Sequence, residues 1–174
     1  MIHNVPEINV LRQTESVPAE GGVFLSPEWI RQVVDVVEEA KRQNPYLGGL
    51  VSQFNFRVLY VIEDLPRKVR SLYGRGSKIV VCVTLRNGAV ANLKIGSRVP
   101  SLRADLIVTL KYDLAAKLFR GDVGVASTLL SGQVRPKPAN GFTAWTKIAA
   151  KSLVAVPQVL KAARLLMESD ENMA

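Results

Sequence analysis

The segment "KIVVCVTLRNGAVANLKIGSR", residues 78–98, predicts the centre of the fold. Two runs rich in strand-forming residues flank the dipeptide Asn87-Gly88, and both turn residues readily adopt positive φ angles. This is the strongest hairpin signal in the chain. The only cysteine, Cys82, lies within the first run, so we expect a buried core thiol and no internal disulfide.

Further strand patterns lie on both sides of this hairpin. "FNFRVLYVI", residues 54–62, is dense in aromatic and β-branched residues, and "ADLIVTLKY", residues 104–112, has the same character. "QVRPKP", residues 133–138, is a short strand whose prolines cannot donate to a ladder, so it belongs at a sheet edge. Together these segments predict five strands, and residues 1–25 hold at most one more short strand.

Helical patterns surround these strands. Ser26 and Pro27 are typical of a helix start, apolar residues recur at helical spacing from Trp29 to Ala40, and Pro45 is expected beyond the helix end. Shorter helices are predicted between the strands, with Asp64 and Asp113 as N-caps and Gly121 and Gly132 as terminators. The order of elements predicts an α+β fold, a mixed and largely antiparallel five-stranded sheet with helices on one face.

The last helix is strongly amphipathic. At about 100° per residue its apolar residues fall in one stripe opposite a cationic ridge. The stripe comprises Phe142, Trp145, Ala149, Leu153, Val156, Leu160, Ala163 and Met167, and the ridge Lys147, Lys151, Gln158 and Lys161. Pro157 lies inside the pattern and is expected to kink or split the helix. The stripe either packs against the sheet as ordinary core or leaves an apolar cavity there, and periodicity alone does not separate these interpretations.

Charge is unevenly distributed along the chain. Residues 65–167 hold 18 lysines and arginines against 3 acidic residues, whereas the rest holds 5 and 12. The net charge of +8 therefore arises from a basic central part. Such a field favours an anionic partner, which could be a membrane surface, a nucleic acid or an acidic small molecule, although a solvated basic surface is the simpler interpretation.

The residues typical of enzymes are mostly missing from the sequence. The single histidine, His3, disfavours both a histidine-based triad and a histidine-based metal site within this chain. Asp105 and Asp113 are predicted near opposite ends of one strand, so they fit turns and caps better than an acid–base pair. "YGRGSK", residues 73–78, lacks the spacing of a phosphate-binding loop.

A basic cluster raises the alternative of nucleic-acid binding. Its members are Arg67, Lys68, Arg70, Arg75 and Lys78. Binders of single strands usually place aromatic residues among such cations, and here only Tyr73 is interleaved. The alternative hypothesis is therefore a basic adaptor that binds nucleic acid or a partner protein and uses its apolar face only as core. A third hypothesis is an accessory domain that acts beside a separate enzyme.

Four short motifs occur in the order found in the sterol carrier protein type 2 family. "ADLIVTLKYDLAAKLFRGD" resembles the family's Ala-Asp-leading strand and the helix after it, and "ASTLLSGQVRPK" resembles the segment that follows. "TAWTKIAAKSL" is similar to the family's closing helix, and "RNG" fits its hairpin turn. The resemblance extends from residue 54 to about residue 166, and the insert at residues 64–77 departs from it.

The resemblance implies a non-enzymatic domain with an apolar tunnel between sheet and carboxyl-terminal helices. It would bind fatty acids, acyl-CoA esters, sterol-like molecules or phospholipids, without cofactor or metal. By position, the residues expected to line or close the tunnel are Phe119, Leu129, Leu130, Phe142, Trp145, Ile148, Leu153, Val156 and Leu160. Residues 26–168 would form this domain, between an N-terminal arm at 1–25 and an acidic tail at 169–174.

A lipid carrier must visit membranes, and lysines and arginines near an anionic surface favour that contact. The residues expected to meet a membrane or a lipid headgroup are Arg135, Lys137, Lys147, Lys151 and Lys161. No stretch of the sequence is apolar enough to span a bilayer, no signal peptide is recognisable, and the lone cysteine fits the cytoplasm. The sequence leaves the oligomeric state open.

Overall fold

The computed structural model describes residues 8–9, 23–74, 76–98, 103–138 and 142–173, with the backbone alone for 8–9, 142–149 and 168–173. His3, Arg75 and most of the predicted N-terminal arm lie outside these ranges. The described residues form one mixed β-sheet whose helices pack over a single face. The predicted α+β class is therefore confirmed.

All five predicted strands are present, and a sixth of two residues joins them. The strands are β1 (Ile8–Asn9), β2 (Phe56–Glu63), β3 (Ile79–Arg86), β4 (Ala89–Gly96), β5 (Leu106–Lys111) and β6 (Arg135–Pro138). Their order across the sheet is β1-β4-β3-β2-β5-β6, and only the β2–β5 pair is parallel. The proline-containing β6 lies at an edge, as its missing N–H groups predict.

The predicted hairpin joins β3 to β4. Asn87 and Gly88 have φ angles of 50° and 77°, which suit a two-residue turn. The tip is anchored, because the Gly88 N–H donates to the Phe54 carbonyl (3.0 Å) and the Asn87 N–H to the Asn55 side chain (2.9 Å). Lys41 donates to the Gly88 carbonyl at 2.7 Å and thereby ties the turn to the first helix.

Six α-helices complete the described part of the chain. They are α1 (Pro27–Gln43), α2 (Pro45–Val51), α3 (Arg67–Arg70), α4 (Tyr112–Arg120), α5 (Val125–Leu130) and α6 (Phe142–Met173). The predicted cap of α1 is confirmed, because the Ser26 hydroxyl accepts from the Trp29 N–H at 3.1 Å and Pro27 is the first helical residue. Gly121 ends α4 in the left-handed conformation, also as predicted.

Two predicted caps were wrong, and one helix was missed. Pro45 lies beyond the end of α1, as predicted, but it also opens α2, which Asn44 caps by accepting from the N–H groups of Tyr46 and Leu47. Asp64 caps no helix, because its carboxylate pairs with Lys111 at 3.1 Å. Asp113 lies inside the first turn of α4, which begins one residue earlier. A single capping residue type therefore located a helix only to within a few positions.

Pro157 was predicted to kink or split the last helix. α6 is continuous across Pro157, so it is not split there, and the kink stays a prediction. A proline removes one intrahelical hydrogen bond, and the turns on both sides can carry the helix through it. α6 contacts α1, α2, α4, α5 and β6 and so lies across the helical layer. Among the described helices, none combines the length and apolarity needed to cross a bilayer.

The sheet carries buried apolar side chains on both faces. The helix-facing core includes Ile62, Ile79, Val81, Leu93, Ile95 and Leu110, together with side chains from α1, α3 and α4. On the opposite face, a second cluster comprises Leu59, Val61, Val80, Cys82, Ala104 and Ile107, with no contribution from the described helices. Cys82 is 3% exposed, which confirms the predicted core thiol.

Candidate functional site

Three side chains in the middle of the helix-facing surface remain partly accessible. They are Tyr60 on β2, Val83 on β3 and Val108 on β5. Strand pairing places Tyr60 beside Val108 on one side and beside Val81 on the other. Val83 lies two residues after Val81 on the same face of β3. The neighbouring core is closed: Val81 is 7% and Leu93 is 1% exposed. Phe56, Leu85 and Val90 on the same face of the sheet are also partly accessible. We call the three central residues, Tyr60, Val83 and Val108, the inner patch.

A cluster of buried apolar side chains lies at each end of the inner patch. Toward the carboxyl end of β2, the main core is covered by apolar side chains of α1 and α4. Toward the other end, Val51, Phe54 and Ala155 form a third cluster with Phe56, Leu85 and Val159 packed against it. The inner patch thus lies between two packed regions of one helix–sheet interface.

The inner patch contains one polar group, the Tyr60 hydroxyl. Burial raises the pKa of this hydroxyl, so it stays neutral over the physiological range. Among the described residues, no group accepts a hydrogen bond from it. Tyr73 differs, because its buried hydroxyl donates to the Leu25 carbonyl at 2.6 Å. Tyr60 was not singled out from the sequence, because it lies within a predicted strand among aromatic and β-branched residues that favour strands equally well.

An aromatic cluster joins the start of α1 to α4. Phe119 lies 4.8 Å from Trp29 and 6.1 Å from Phe24 between ring centroids, and Phe24 lies 5.4 Å from Tyr112. The predicted tunnel residue Phe119 is thus part of an aromatic contact between helices. Phe24 and Leu25 pack into the core although the sequence placed them in the N-terminal arm.

The two predicted tunnel residues of α5 have different surroundings. Leu129 packs, partly buried, against the helix-facing core. Leu130, at the end of α5, is 90% exposed, so it contacts little of the described protein. Of these two residues, only Leu129 packs against the helix-facing core.

The packed face of α6 is rotated relative to the predicted apolar stripe. Ala155 and Ala163 are 1% and 0% exposed, and Val159 lies between them on the same face. The centre of this face lies roughly 80° around the helix from the centre of the stripe, and Ala163 belongs to both. Small side chains let α6 approach its neighbours closely, whereas larger stripe residues remain at the side of the contact.

The predicted α6 tunnel residues consequently differ in accessibility. Leu153 is 42% exposed, and Val156 and Leu160 are partly buried. The side chains of Phe142, Trp145 and Ile148 lie outside the described residues.

Arg164 links α6 to the end of α4. Its guanidinium donates to the Arg120 carbonyl and lies where a side chain on Gly121 would stand. A cation at a helix C-terminus is stabilising, because carbonyl groups there lack helical partners. This contact joins α6 to the carboxyl end of α4.

The predicted membrane-facing cations do not form one free surface. Arg135 pairs with Glu63 at 3.3 Å, and Lys151 donates to the Gln53 side chain at 2.7 Å. Lys137 and Lys161 are exposed, and the side chain of Lys147 lies outside the described residues.

A second basic surface is formed by α3 and the turn after it. Arg67, Lys68 and Arg70 are exposed, and in the described part of the chain none of them has an acidic partner. Leu72 beside them is 48% exposed. Tyr73 is 4% exposed and is therefore unavailable for stacking on a base. We call Arg67, Lys68, Arg70 and Leu72 the α3 surface.

The described residues contain no group of three or more histidine, cysteine, aspartate or glutamate side chains that could hold a metal ion. Burial also raises the pKa of the Cys82 thiol, which keeps it protonated and unreactive. Asp105, predicted as a turn residue, accepts from the Arg57 N–H at 2.7 Å.

Solved structures of sterol carrier proteins share this fold. One is the solution structure of a conserved protein from Thermus thermophilus, described as a candidate sterol carrier protein, with a TM-score of 0.61 and 15% identity over 86% of this chain and 94% of that chain. Another is a crystal structure of sterol carrier protein 2, with a TM-score of 0.56 and 15% identity over 76% of this chain and 93% of that chain. No protein-family model and no curated protein matches the sequence. The predicted sterol-carrier fold is confirmed.

Proposed function

We propose that this chain is a non-enzymatic carrier of lipids or similar apolar molecules, which it holds between the sheet and the helices. The observation that carries the proposal is the partial exposure of Tyr60, Val83 and Val108 in the middle of a helix–sheet interface that has a buried cluster on either side. A side chain on a central strand, beneath helices, that keeps accessible surface faces a space between the two layers. The fold shared with sterol carrier protein 2 supports the same interpretation.

The energetics favour an acyl chain or another elongated apolar molecule in that space. Each methylene removed from water contributes about 0.8 kcal/mol, so several methylenes against the inner patch would give measurable affinity. Fatty acids, acyl-CoA esters, sterol-like molecules and phospholipids all offer such a segment. The buried, unreactive Cys82 fits a carrier working in the reducing cytoplasm.

Native mass spectrometry tests the proposal directly. The protein is incubated with palmitic acid, palmitoyl-CoA, cholesterol and dioleoylphosphatidylcholine in separate samples, and spectra are recorded under non-denaturing conditions. We expect at least one ligand to be retained at one molecule per chain. Retention of none of the four, by a sample with a cooperative unfolding transition, would contradict the carrier function.

We further propose that the carrier docks on anionic membranes through its basic surface. The α3 surface supports this, because its three cations are exposed without acidic partners in the described part of the chain and Leu72 adds an apolar contact. The cations predicted earlier remain candidates, although Arg135 and Lys151 already have protein partners. Each free cation near an anionic surface contributes about 1 kcal/mol.

The charge-reversed triple variant Arg67→Glu, Lys68→Glu, Arg70→Glu is expected to reduce flotation with vesicles containing phosphatidylserine by at least about tenfold. The matched control reverses Arg135, Lys137 and Lys161 in the same way. Both variants should bind neutral phosphatidylcholine vesicles like the wild type. A larger loss in the control would place docking on the other surface, and equal wild-type binding to both vesicle types would reject an electrostatic role.

A further inference from the structure

The Tyr60 side chain packs against a largely apolar cluster. Its neighbours along β2 on the same face are Val58 and Ile62, and its cross-strand partners are Val81 and Val108. α4 adds Leu114 and Leu118 to the same cluster. No acceptor for the hydroxyl proton is found among the described residues. The hydroxyl therefore has no protein acceptor among the described residues and can donate to a molecule that enters the inner patch.

Tyr73 shows how the same fold treats a tyrosine that serves packing alone. Its ring is buried in the same core, and its hydroxyl donates to the Leu25 carbonyl at 2.6 Å. Tyr60 has no such acceptor within the described ranges, yet its side chain keeps accessible surface on the inner patch. The free donor and the incomplete cover thus occur at one residue.

We propose that the Tyr60 hydroxyl donates a hydrogen bond to an uncharged oxygen of the bound molecule, such as an ester carbonyl or an alcohol. This inference rests on the proposed carrier function. It narrows the ligand class to molecules that bring a neutral oxygen to the middle of the helix–sheet interface.

The surroundings of Tyr60 disfavour a charged group at this position. A carboxylate or phosphate placed there would lose its hydration, and the four strand neighbours of Tyr60 offer it no cation. Burial is the cause of the raised pKa of Tyr60, so the hydroxyl stays a neutral donor. A neutral oxygen needs one donor, and Tyr60 supplies one. A charged headgroup would have to lie outside the inner patch.

The test compares wild type with Tyr60→Phe, which removes the hydroxyl and keeps the ring. Affinities are measured by native mass spectrometry for 1-dodecanol, methyl laurate, dodecane and laurate delivered from cyclodextrin. We expect Tyr60→Phe to bind the alcohol and the ester about five- to tenfold more weakly and dodecane equally well. Tyr46→Phe, at a residue 66% exposed on α2, is the matched control and should bind all four like the wild type.

Infrared spectroscopy of bound methyl laurate gives an independent readout. The ester carbonyl band should lie at lower frequency in the wild type than in Tyr60→Phe, because a hydrogen bond weakens the carbonyl bond. Equal affinities and equal band positions in both proteins would overturn the role of Tyr60 and leave the carrier function standing. An equal loss for dodecane would assign the effect to packing, again overturning the role. Wild type that binds none of the four ligands would reject the carrier function itself.

Discussion

Replacing Val83 by phenylalanine is expected to abolish ligand binding without lowering the free energy of unfolding. Val83 faces the helices from β3 and keeps accessible surface there. If that surface faces a ligand space, the larger ring enters it and occupies the volume an acyl chain would use. Extra apolar burial should then offset any local strain, so the free energy of unfolding should stay within about 1 kcal/mol of wild type or rise. Ligand affinity should fall at least about tenfold.

Val81→Phe is the matched control for this experiment. Val81 lies two residues earlier on the same strand and the same face, but it is only 7% exposed. The same added ring must displace packed neighbours there, which typically costs about 1–3 kcal/mol. Urea unfolding of both variants and native mass spectrometry of Val83→Phe supply the measurements. Equal destabilisation of the two variants would mean that the interface at Val83 is filled, and the carrier proposal would lose its main support.

Local signals in the sequence were reliable guides to the fold. Asn87-Gly88 predicted the hairpin and Ser26-Pro27 the start of α1, because in each case the residue types themselves favour the backbone geometry. The prolines of β6 likewise placed that strand at an edge. Such features depend on few neighbours, so a single sequence contains nearly all of the information that determines them.

The candidate site depends on packing between distant elements and was therefore harder to predict. The predicted stripe on α6 included Ala163, yet it missed Ala155, which is as deeply buried and whose small side chain permits close approach. Tyr60 resembles any strand residue in sequence. It stands out in the structure because its side chain is incompletely covered and its hydroxyl has no acceptor among the described residues. The incomplete cover and the missing acceptor can be recognised only when the positions of the helices over the sheet are known.

Replacing Gly88 by alanine is expected to lower the free energy of unfolding by about 3–5 kcal/mol, as two costs combine. Gly88 has a φ angle of 77°, where an L side chain costs about 1–2 kcal/mol. A β-carbon there would also lie 2.6 Å from the carbonyl carbon of Val51 and closer still to its oxygen. This contact is with backbone, so the hairpin tip must move. The movement would weaken the hydrogen bonds to Phe54 and Lys41, each worth about 1 kcal/mol or more.

Gly132→Ala separates the two costs. Gly132 has a similar φ angle, 73°, but a β-carbon there would meet nothing within 4 Å. The loss of stability in this variant should therefore be the conformational cost alone, about 1–2 kcal/mol, measured by urea unfolding under the same conditions. The excess loss in Gly88→Ala then measures how firmly the turn is held between α1 and the loop before β2. Equal losses in the two variants would show that the tip is free to move and that these anchors contribute little to holding β3, and with it Val83, in place beneath the helices.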